Sequence, residues 1–141
     1  MRILVISDSH GRNDDVKGVL EQVGEIDMLI HCGDVERGDQ YIRDIAGCPV
    51  VMVAGNNDYY LDLPSEETIE VEGYRIWVTH GHPYYVNSGV DYLREYGEMH
   101  DVDVVMYGHT HVPFIEIGDD MTILNPGSCL LYTSPSPRDR S

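Results

Sequence analysis

The sequence is poor in basic residues. It has 9 Lys and Arg residues against 25 Asp and Glu residues, a formal net charge of −16. A charge of this sign repels nucleic acid and anionic membranes, so we expect no non-specific binding to nucleic acid and no membrane association. Any phosphate-bearing ligand needs a local cationic feature, which bound divalent metal ions supply. The acidity is equally typical of a protein from a salt-rich cytoplasm and of an ordinary acidic protein.

The sequence also lacks long apolar runs and paired cysteines. No run approaches the roughly 20 residues that cross a bilayer, and the apolar stretch of residues 1–11 is too short for a signal peptide. The three cysteines form no CxxC pair, and their odd number indicates reduced thiols. We therefore expect a cytoplasmic protein in which Cys32 is a small core residue. The sequence leaves the oligomeric state open.

Five short, β-branched runs each end in a polar cluster, as expected of buried central strands. They are residues 3–6, 28–32, 50–54, 76–79 and 104–107.

Helical patterns lie between these runs. Val16, Val19, Leu20 and Val23 have helical spacing, and Asn13 is the expected N-cap. Shorter helices are predicted around residues 41–45 and from residue 88 or 91 onward. The opening β-α-β-α-β order predicts a parallel sheet.

The second half of the chain favours hairpins. Residues 68–71 and 74–78 flank Glu72-Gly73, and residues 114–117 and 121–124 flank another turn. The end differs, since residues 130–141 show no periodicity and contain two prolines that cannot continue a central strand. We expect one domain over residues 1–129. We interpret 130–141 as a disordered or foreign tail, with a regulatory tail as the alternative.

The polar clusters carry the chemistry. In order they read D-x-H, G-D, G-N-x-D, H-G-H and G-H-x-H. Because ligands bind beyond the carboxyl ends of parallel strands, these clusters are expected to meet at one rim. Carboxylates mixed with imidazoles suit Mn, Fe, Zn or Ni better than Ca or Mg. The set as a whole therefore favours a metal centre over separate structural roles.

Two divalent ions about 3.5–4 Å apart need one shared anionic ligand. Asp34 is the natural bridge, because a carboxylate offers one oxygen to each ion. Asp8, His10 and His111 then complete one site. Asn56, His80 and His109 complete the other.

Three further histidines are weaker candidates. His31 is predicted to be a packed strand residue and His100 a solvated one. The pattern leaves His82 open between a role beside the ligands, a substrate-facing role and a structural role.

The motifs resemble those of the calcineurin-like metallophosphoesterases, most closely the small single-domain phosphodiesterase branch. The resemblance covers residues 1 to about 129 and includes the Asn125-Pro126-Gly127-Ser128 segment. It implies a four-layer α/β/β/α sandwich with mixed sheets and the ligand assignment given above. Relatives continue past this segment with further strands, so the C-terminal strands are expected to be missing here.

The resemblance implies metal-dependent hydrolysis of a small phosphate-ester substrate, first of all a phosphodiester, by a metal-bridging hydroxide. Two divalent ions are expected as cofactors, manganese first, with nickel, iron or zinc as alternatives. Many relatives have a proton-donating His after the metal-binding Asn, where this chain has Asn57. We name Asn57, Asp58 and His82 as candidate catalytic residues. The alternative function is a non-catalytic protein-binding scaffold on the same fold.

Overall fold

The computed structural model describes residues 2–58 and 61–133. The helices and strands follow one another as β1 (Arg2–Ile6), α1 (Asn13–Val23), β2 (Met28–His31), α2 (Asp39–Ala46), β3 (Val50–Met52), β4 (Glu66–Val71), β5 (Tyr74–Thr79), α3 (Asp91–Met99), β6 (Val104–Met106), β7 (Phe114–Ile117), β8 (Thr122–Asn125) and β9 (Cys129–Thr133). Within the described ranges, no helix is long and apolar enough to cross a membrane.

The strands form two mixed sheets. The first has the order β3-β2-β1-β9, and the second has the order β4-β5-β6-β8-β7. The predicted parallel pairing of β1, β2 and β3 is confirmed, and so are both hairpins. The later strands β5 and β6 are also parallel to each other, but they belong to the second sheet.

Alternation along the strands builds the layers. In β1, Ile3 and Val5 face the second sheet, whereas Leu4 and Ile6 pack with Val16 of α1. The second sheet repeats this arrangement, since its outer face packs with Leu93 of α3. The molecule is therefore the expected four-layer α/β/β/α sandwich, in which the central strands of each sheet are buried on both faces, whereas the edge strands β4 and β7 are partly exposed.

Two predictions about local structure are corrected. Asn13 is the first residue of α1 and Arg12 takes the N-cap position, with no side-chain capping hydrogen bond. Residues 130–133 lie in β9, which pairs antiparallel with β1 from Arg2↔Thr133 to Ile6↔Cys129. The ordered strand therefore passes the boundary expected at residue 129, because the prolines that argued against a strand begin only at Pro135. The rest of the predicted tail, residues 134–141, lies outside the described residues.

Candidate metal centre

The carboxyl ends of strands from both sheets meet at one edge of the molecule. Loops after β1, β2 and β3 carry Asp8, Asp34 and Asn56, and loops after β5 and β6 carry the histidines of the second sheet. The backbone N–H of His109 donates to Asp8 Oδ2 over 3.1 Å and ties the two sheets together at this point. The packing of one sheet on the other thus places all seven predicted ligands on the same rim.

Asp8 is at the centre of the first group of side chains. Its Oδ1 lies 3.4 Å from His111 Nε2 and 4.0 Å from His10 Nε2. The ligand atoms of these three residues all lie within 4.8 Å of one another. They are the three residues that the sequence assigned to one metal site.

A second group shares Asp8 and adds Asp34 and His80. His80 Nε2 lies 3.3 Å from Asp34 Oδ2 and 3.7 Å from Asp8 Oδ1. On its other side, the Nδ1–H of His80 donates to the carbonyl oxygen of Cys32 over 2.8 Å. This contact fixes the orientation of the ring, so that Nε2 faces Asp34 and Asp8 as the atom that can bind a cation.

Asn56 and His109 border this second group. His109 Nδ1 lies 3.2 Å from Asn56 Oδ1 and 3.3 Å from His80 Nε2. Asn56, His80 and His109, which the sequence assigned together, are therefore neighbours. The carboxylate common to both groups is Asp8, whereas Asp34 belongs to the second group alone.

Asn57 holds Asp34 at both oxygens. Its backbone N–H donates to Oδ1 over 2.8 Å, and its side-chain amide donates to Oδ2 over 3.0 Å. Burial works to raise the pKa of Asp34, but hydrogen bonds from His80 and Asn57 outweigh it and hold that pKa below its usual range. Burial likewise works to lower the pKa of His80, and Asp34 and Asp8 reverse the direction and raise it.

Asp58 does not point into the rim. It is fully buried, and its two oxygens accept the backbone N–H groups of Val35, Glu36 and Gly55 over 2.7–3.1 Å. With both oxygens engaged by backbone donors, Asp58 cannot contact a substrate. It is a positioning residue that joins the loop of Asp34 to the loop of Asn56. This corrects the expectation that Asp58 is a catalytic residue.

The remaining histidines separate by burial. His82 is exposed, and its ring centre lies 5.4 Å from that of His80 and 6.0 Å from that of His109. His31 is fully buried in β2, where it accepts the N–H of Gly33 at Nδ1 and contacts Ser9 Oγ through Nε2. Exposed His100 lies at the end of α3, away from the rim. Of the three, only His82 borders the candidate site.

Sequence reasoning missed three contacts to the predicted ligands. Ser7 Oγ donates to Asp8 Oδ2 over 2.5 Å, and Glu36 Oε2 lies 3.3 Å from His10 Nδ1. The amide of Asn87 lies 3.2 Å from His109 Nε2. Ser7 and Glu36 lie next to or two residues from a predicted ligand in the sequence, and this proximity could have indicated their contacts. Asn87 belongs to no motif and carried no such indication.

The backbone is strained at the ligands. Five of them have φ between 49° and 71°, in the left-handed region that non-glycine residues seldom adopt: Asp8, His10, Asp34, His109 and His111. Such strain concentrates at functional sites, where the surrounding structure holds it in place. Gly33 allows the close packing, since a Cβ there would lie 2.6 Å from His80 Nδ1.

These donors fit divalent cations. Asp8 Oδ1 is buried and has no hydrogen-bond partner among the described residues, although imidazole nitrogens lie around it. A buried carboxylate oxygen without a partner is costly, and a cation would satisfy it. The fold and the site thus define a class of protein, the α/β/β/α proteins with a rim of carboxylate and imidazole metal ligands.

Comparison with known proteins identifies the family within that class. Residues 1–139 match the model of the calcineurin-like phosphoesterase superfamily domain, and the chain belongs to this family. A probable metallophosphoesterase of Methanocaldococcus jannaschii is 41% identical over 133 residues, which cover 91% of this chain and 68% of the relative. A phosphodiesterase from the same organism is 28% identical over 155 residues, covering 97% of this chain and 89% of the relative.

A solved structure shares the fold. Wild-type Vps29 from Entamoeba histolytica, complexed with Zn²⁺, superposes with a TM-score of 0.74 at 27% identity. The match covers 91% of this chain and 74% of the Vps29 chain. The metallophosphoesterase resemblance expected from the motifs is therefore confirmed.

Proposed function

We propose that this protein hydrolyses phosphate esters, first of all phosphodiesters, at a centre that holds two divalent ions. Membership of a metallophosphoesterase family supports the reaction class, and the relative named a phosphodiesterase supports the diester. Asp8, His10 and His111 would hold one ion. Asn56, His80 and His109 would hold the other, and Asp34 would bridge.

The observation that carries the proposal is the unpartnered Oδ1 of Asp8. It lies within 4.0 Å of His10, His80 and His111, which come from three different loops and both sheets. Within residues 2–58 and 61–133, no hydrogen bond satisfies this oxygen. Cation binding accounts for it, and for the convergence of imidazole nitrogens on a carboxylate.

Divalent ions held by these residues would supply positive charge for the phosphate and would activate water as the nucleophile. The protein contributes the geometry. Asn57 holds the ionised Asp34, Cys32 fixes the ring orientation of His80, and Asp58 fixes the distance between two ligand loops. The protein also needs the cations, because its own charge of −16 repels an anionic substrate.

His82 is the proposed proton donor to the leaving group. The amide of Asn57 does not titrate near neutral pH and is engaged with Asp34, so Asn57 acts as a positioning residue. His82 is exposed beside His80 and His109, on the side of the rim that a substrate can reach. Partial desolvation at the rim, together with the neighbouring His80 and His109, lowers the pKa of His82.

A cavity of about 150 Å³ opens beside Asp8. It is lined by Ser9, Arg12 and Asp15, and the guanidinium of Arg12 belongs to a largely exposed side chain. The cavity offers room for an ester substituent next to the ligands. Arg12 Nε lies 3.9 Å from Asp15 Oδ2, so the guanidinium is paired with a carboxylate of the same lining.

The second candidate is a protein-binding scaffold. The similarity to Vps29 supports it, as do apolar side chains on and before β7, the edge strand of the second sheet. Val112, Ile115 and Ile117 are 61%, 56% and 79% exposed. Exposed apolar surface of this kind is typical of interaction sites.

An activity screen separates the two candidates. Metal-stripped protein is refilled with Mn²⁺, Ni²⁺, Fe²⁺, Zn²⁺ or Mg²⁺ and assayed against monoesters, diesters and cyclic nucleotides. We expect diester hydrolysis with at least one transition metal and none in chelator. The matched control is Asp8→Asn, which keeps the shape and removes the charge. Activity that is the same in wild type and Asp8→Asn, or absent with every metal, contradicts the proposed function.

A further inference from the structure

The two ring nitrogens of His109 face different neighbours. Nδ1 lies 3.2 Å from Asn56 Oδ1 and 3.3 Å from His80 Nε2, among the proposed ligands. Nε2 lies 3.2 Å from the amide of Asn87. The ligand set is therefore approached by Nδ1, and Asn87 is the partner of the opposite nitrogen.

The tautomer of His109 decides whether Nδ1 can bind a cation. Asn87 Nδ2 faces Nε2 and Asn56 Oδ1 faces Nδ1. With the amides in these orientations, Nε2 has to accept and the ring proton has to be on Nδ1. An imidazole that ligates through Nδ1 has to carry its proton on Nε2. The Nε2–H then needs an acceptor. With Asn87 Nδ2 facing it, two donors would oppose each other, which is unfavourable.

We propose that Asn87 is a positioning residue that sets the tautomer of His109. A side-chain amide has a donor and an acceptor at equivalent positions, so a half-turn of Asn87 presents Oδ1 to the Nε2–H. In that orientation the amide stabilises the Nε2–H tautomer, whose unprotonated Nδ1 is available to a cation. This inference rests on the proposed metal centre and adds a residue to it.

The local fold holds Asn87 in place for this task. It lies on a 3₁₀ turn, Val86–Ser88, in which Val86 is buried. Val86 packs closely against the loop of His80, since a Cβ on Gly81 would lie 2.9 Å from Val86 Cγ1. Asn87 itself is exposed, so its contact with His109 contributes little burial. The turn is anchored by its neighbour, and the amide is left to face the ring.

Zn²⁺ binding to three variants tests the proposal. Asn87→Leu keeps the approximate shape and removes the hydrogen bond, and Asn87→Asp offers acceptors only. The matched control is Ser88→Ala, at the next residue on the same turn. Affinity and stoichiometry are measured by competition with a chromophoric chelator, and unfolding in chelator checks that each variant is folded.

We expect Asn87→Leu to bind one of its two Zn²⁺ ions about 10–100-fold more weakly than wild type, the usual cost of losing a partner behind a ligating His. Asn87→Asp should bind Zn²⁺ at least as tightly as wild type. Ser88→Ala should bind Zn²⁺ with the same affinity as wild type. Wild-type affinity in Asn87→Leu overturns this inference alone, and so does equal weakening in Asn87→Asp. A wild-type protein that takes up no ion overturns the proposed centre as well.

A spectroscopic readout gives the tautomer directly. Long-range ¹H–¹⁵N correlation spectra of the zinc-loaded protein distinguish protonated from unprotonated ring nitrogens. We expect the proton of His109 on Nε2 in wild type and in Asn87→Asp. A proton on Nδ1 with zinc bound overturns the proposal.

Discussion

Asn57 is hydrogen-bonded to Asp34 twice, through its backbone N–H at 2.8 Å and its side-chain amide at 3.0 Å. The backbone bond survives any substitution that keeps the loop, whereas the amide bond depends on the side chain. The role of Asn57 is therefore to hold the proposed bridging carboxylate.

Replacing Asn57 tests this role. Asn57→Ala removes one of the two donors, and we expect binding of divalent metal to weaken about 10–100-fold, as for other partners of ligating groups. Titration with Mn²⁺ measures the change. Gln40→Ala, on an exposed part of α2, is the control and should bind as wild type does. Unchanged affinity in Asn57→Ala would show that the backbone donor alone positions Asp34.

The bridging role of Asp34 has its own test. Asp34→Asn keeps the size of the side chain but removes the charge that would hold two cations together. We expect fewer than two ions per chain and almost no turnover, measured by elemental analysis and diester hydrolysis. Two bound ions with full activity in Asp34→Asn would contradict the bridging role of Asp34. The bridging ligand would then be Asp8, whose Oδ1 lies between the two groups of histidines.

The dependence of the rate on the leaving group tests whether His82 is the proton donor. An alkoxide gains more than a phenolate from a proton in the transition state, and general acid catalysis contributes about 10²–10⁴-fold in rate. We expect His82→Ala to lose a factor of this size on alkyl esters and much less on aryl esters. Rates across a series of leaving groups measure the difference. A uniform loss for every ester would mean that His82 acts otherwise than as an acid.

Asp58 should matter for stability as well as for metal binding. In Asp58→Asn, the amide presents a donor to backbone N–H groups that now donate to a carboxylate. Hydrogen bonds to a charged group contribute about 1.5–3 kcal/mol each, so we expect a loss of about 2–3 kcal/mol in unfolding free energy. Urea unfolding in chelator measures it. The control Asp120→Asn, at an exposed turn, should leave the free energy of unfolding unchanged.

His31 predicts a pH dependence of stability. Burial, and then the neighbouring His80, lower the pKa of His31 to about 3 from an ordinary 6.5. Below pH 6.5 the unfolded chain takes up a proton that the folded protein excludes, so His31 favours unfolding as pH falls from 6.5 toward 3. The slope reaches at most about 1.4 kcal/mol per pH unit.

Comparing variants isolates this contribution. The wild type, His31→Gln and the exposed control His100→Gln are unfolded by urea in chelator at several pH values between 4 and 7.5. His31→Gln should show a shallower loss of stability on acidification than the other two proteins. Equal slopes in all three would mean that His31 does not remain neutral in the folded state.

Local patterns were sufficient for much of the fold. The β-branched runs predicted the central strands, and the spacing of Val16, Val19, Leu20 and Val23 predicted α1. The turn at Glu72-Gly73 predicted a hairpin. These features succeed because strand alternation, helical periodicity and tight turns depend on residues close together in the chain. Strand β9 was not predicted, and residues 130–133 were assigned to the tail, since its pairing with β1 joins segments more than 120 positions apart, from Ile6↔Cys129 onward.

The sequence by itself determined which side chains form the candidate site, because each motif follows the end of a buried strand and those ends converge at one rim. Only the tertiary structure decided how they are arranged. It put Asp58 beneath the loops, engaged the amide of Asn57 with Asp34, and brought Asn87 to His109. These contacts join loops from different parts of the chain, and the packing of one sheet on the other sets their distances. No local pattern encodes such distances.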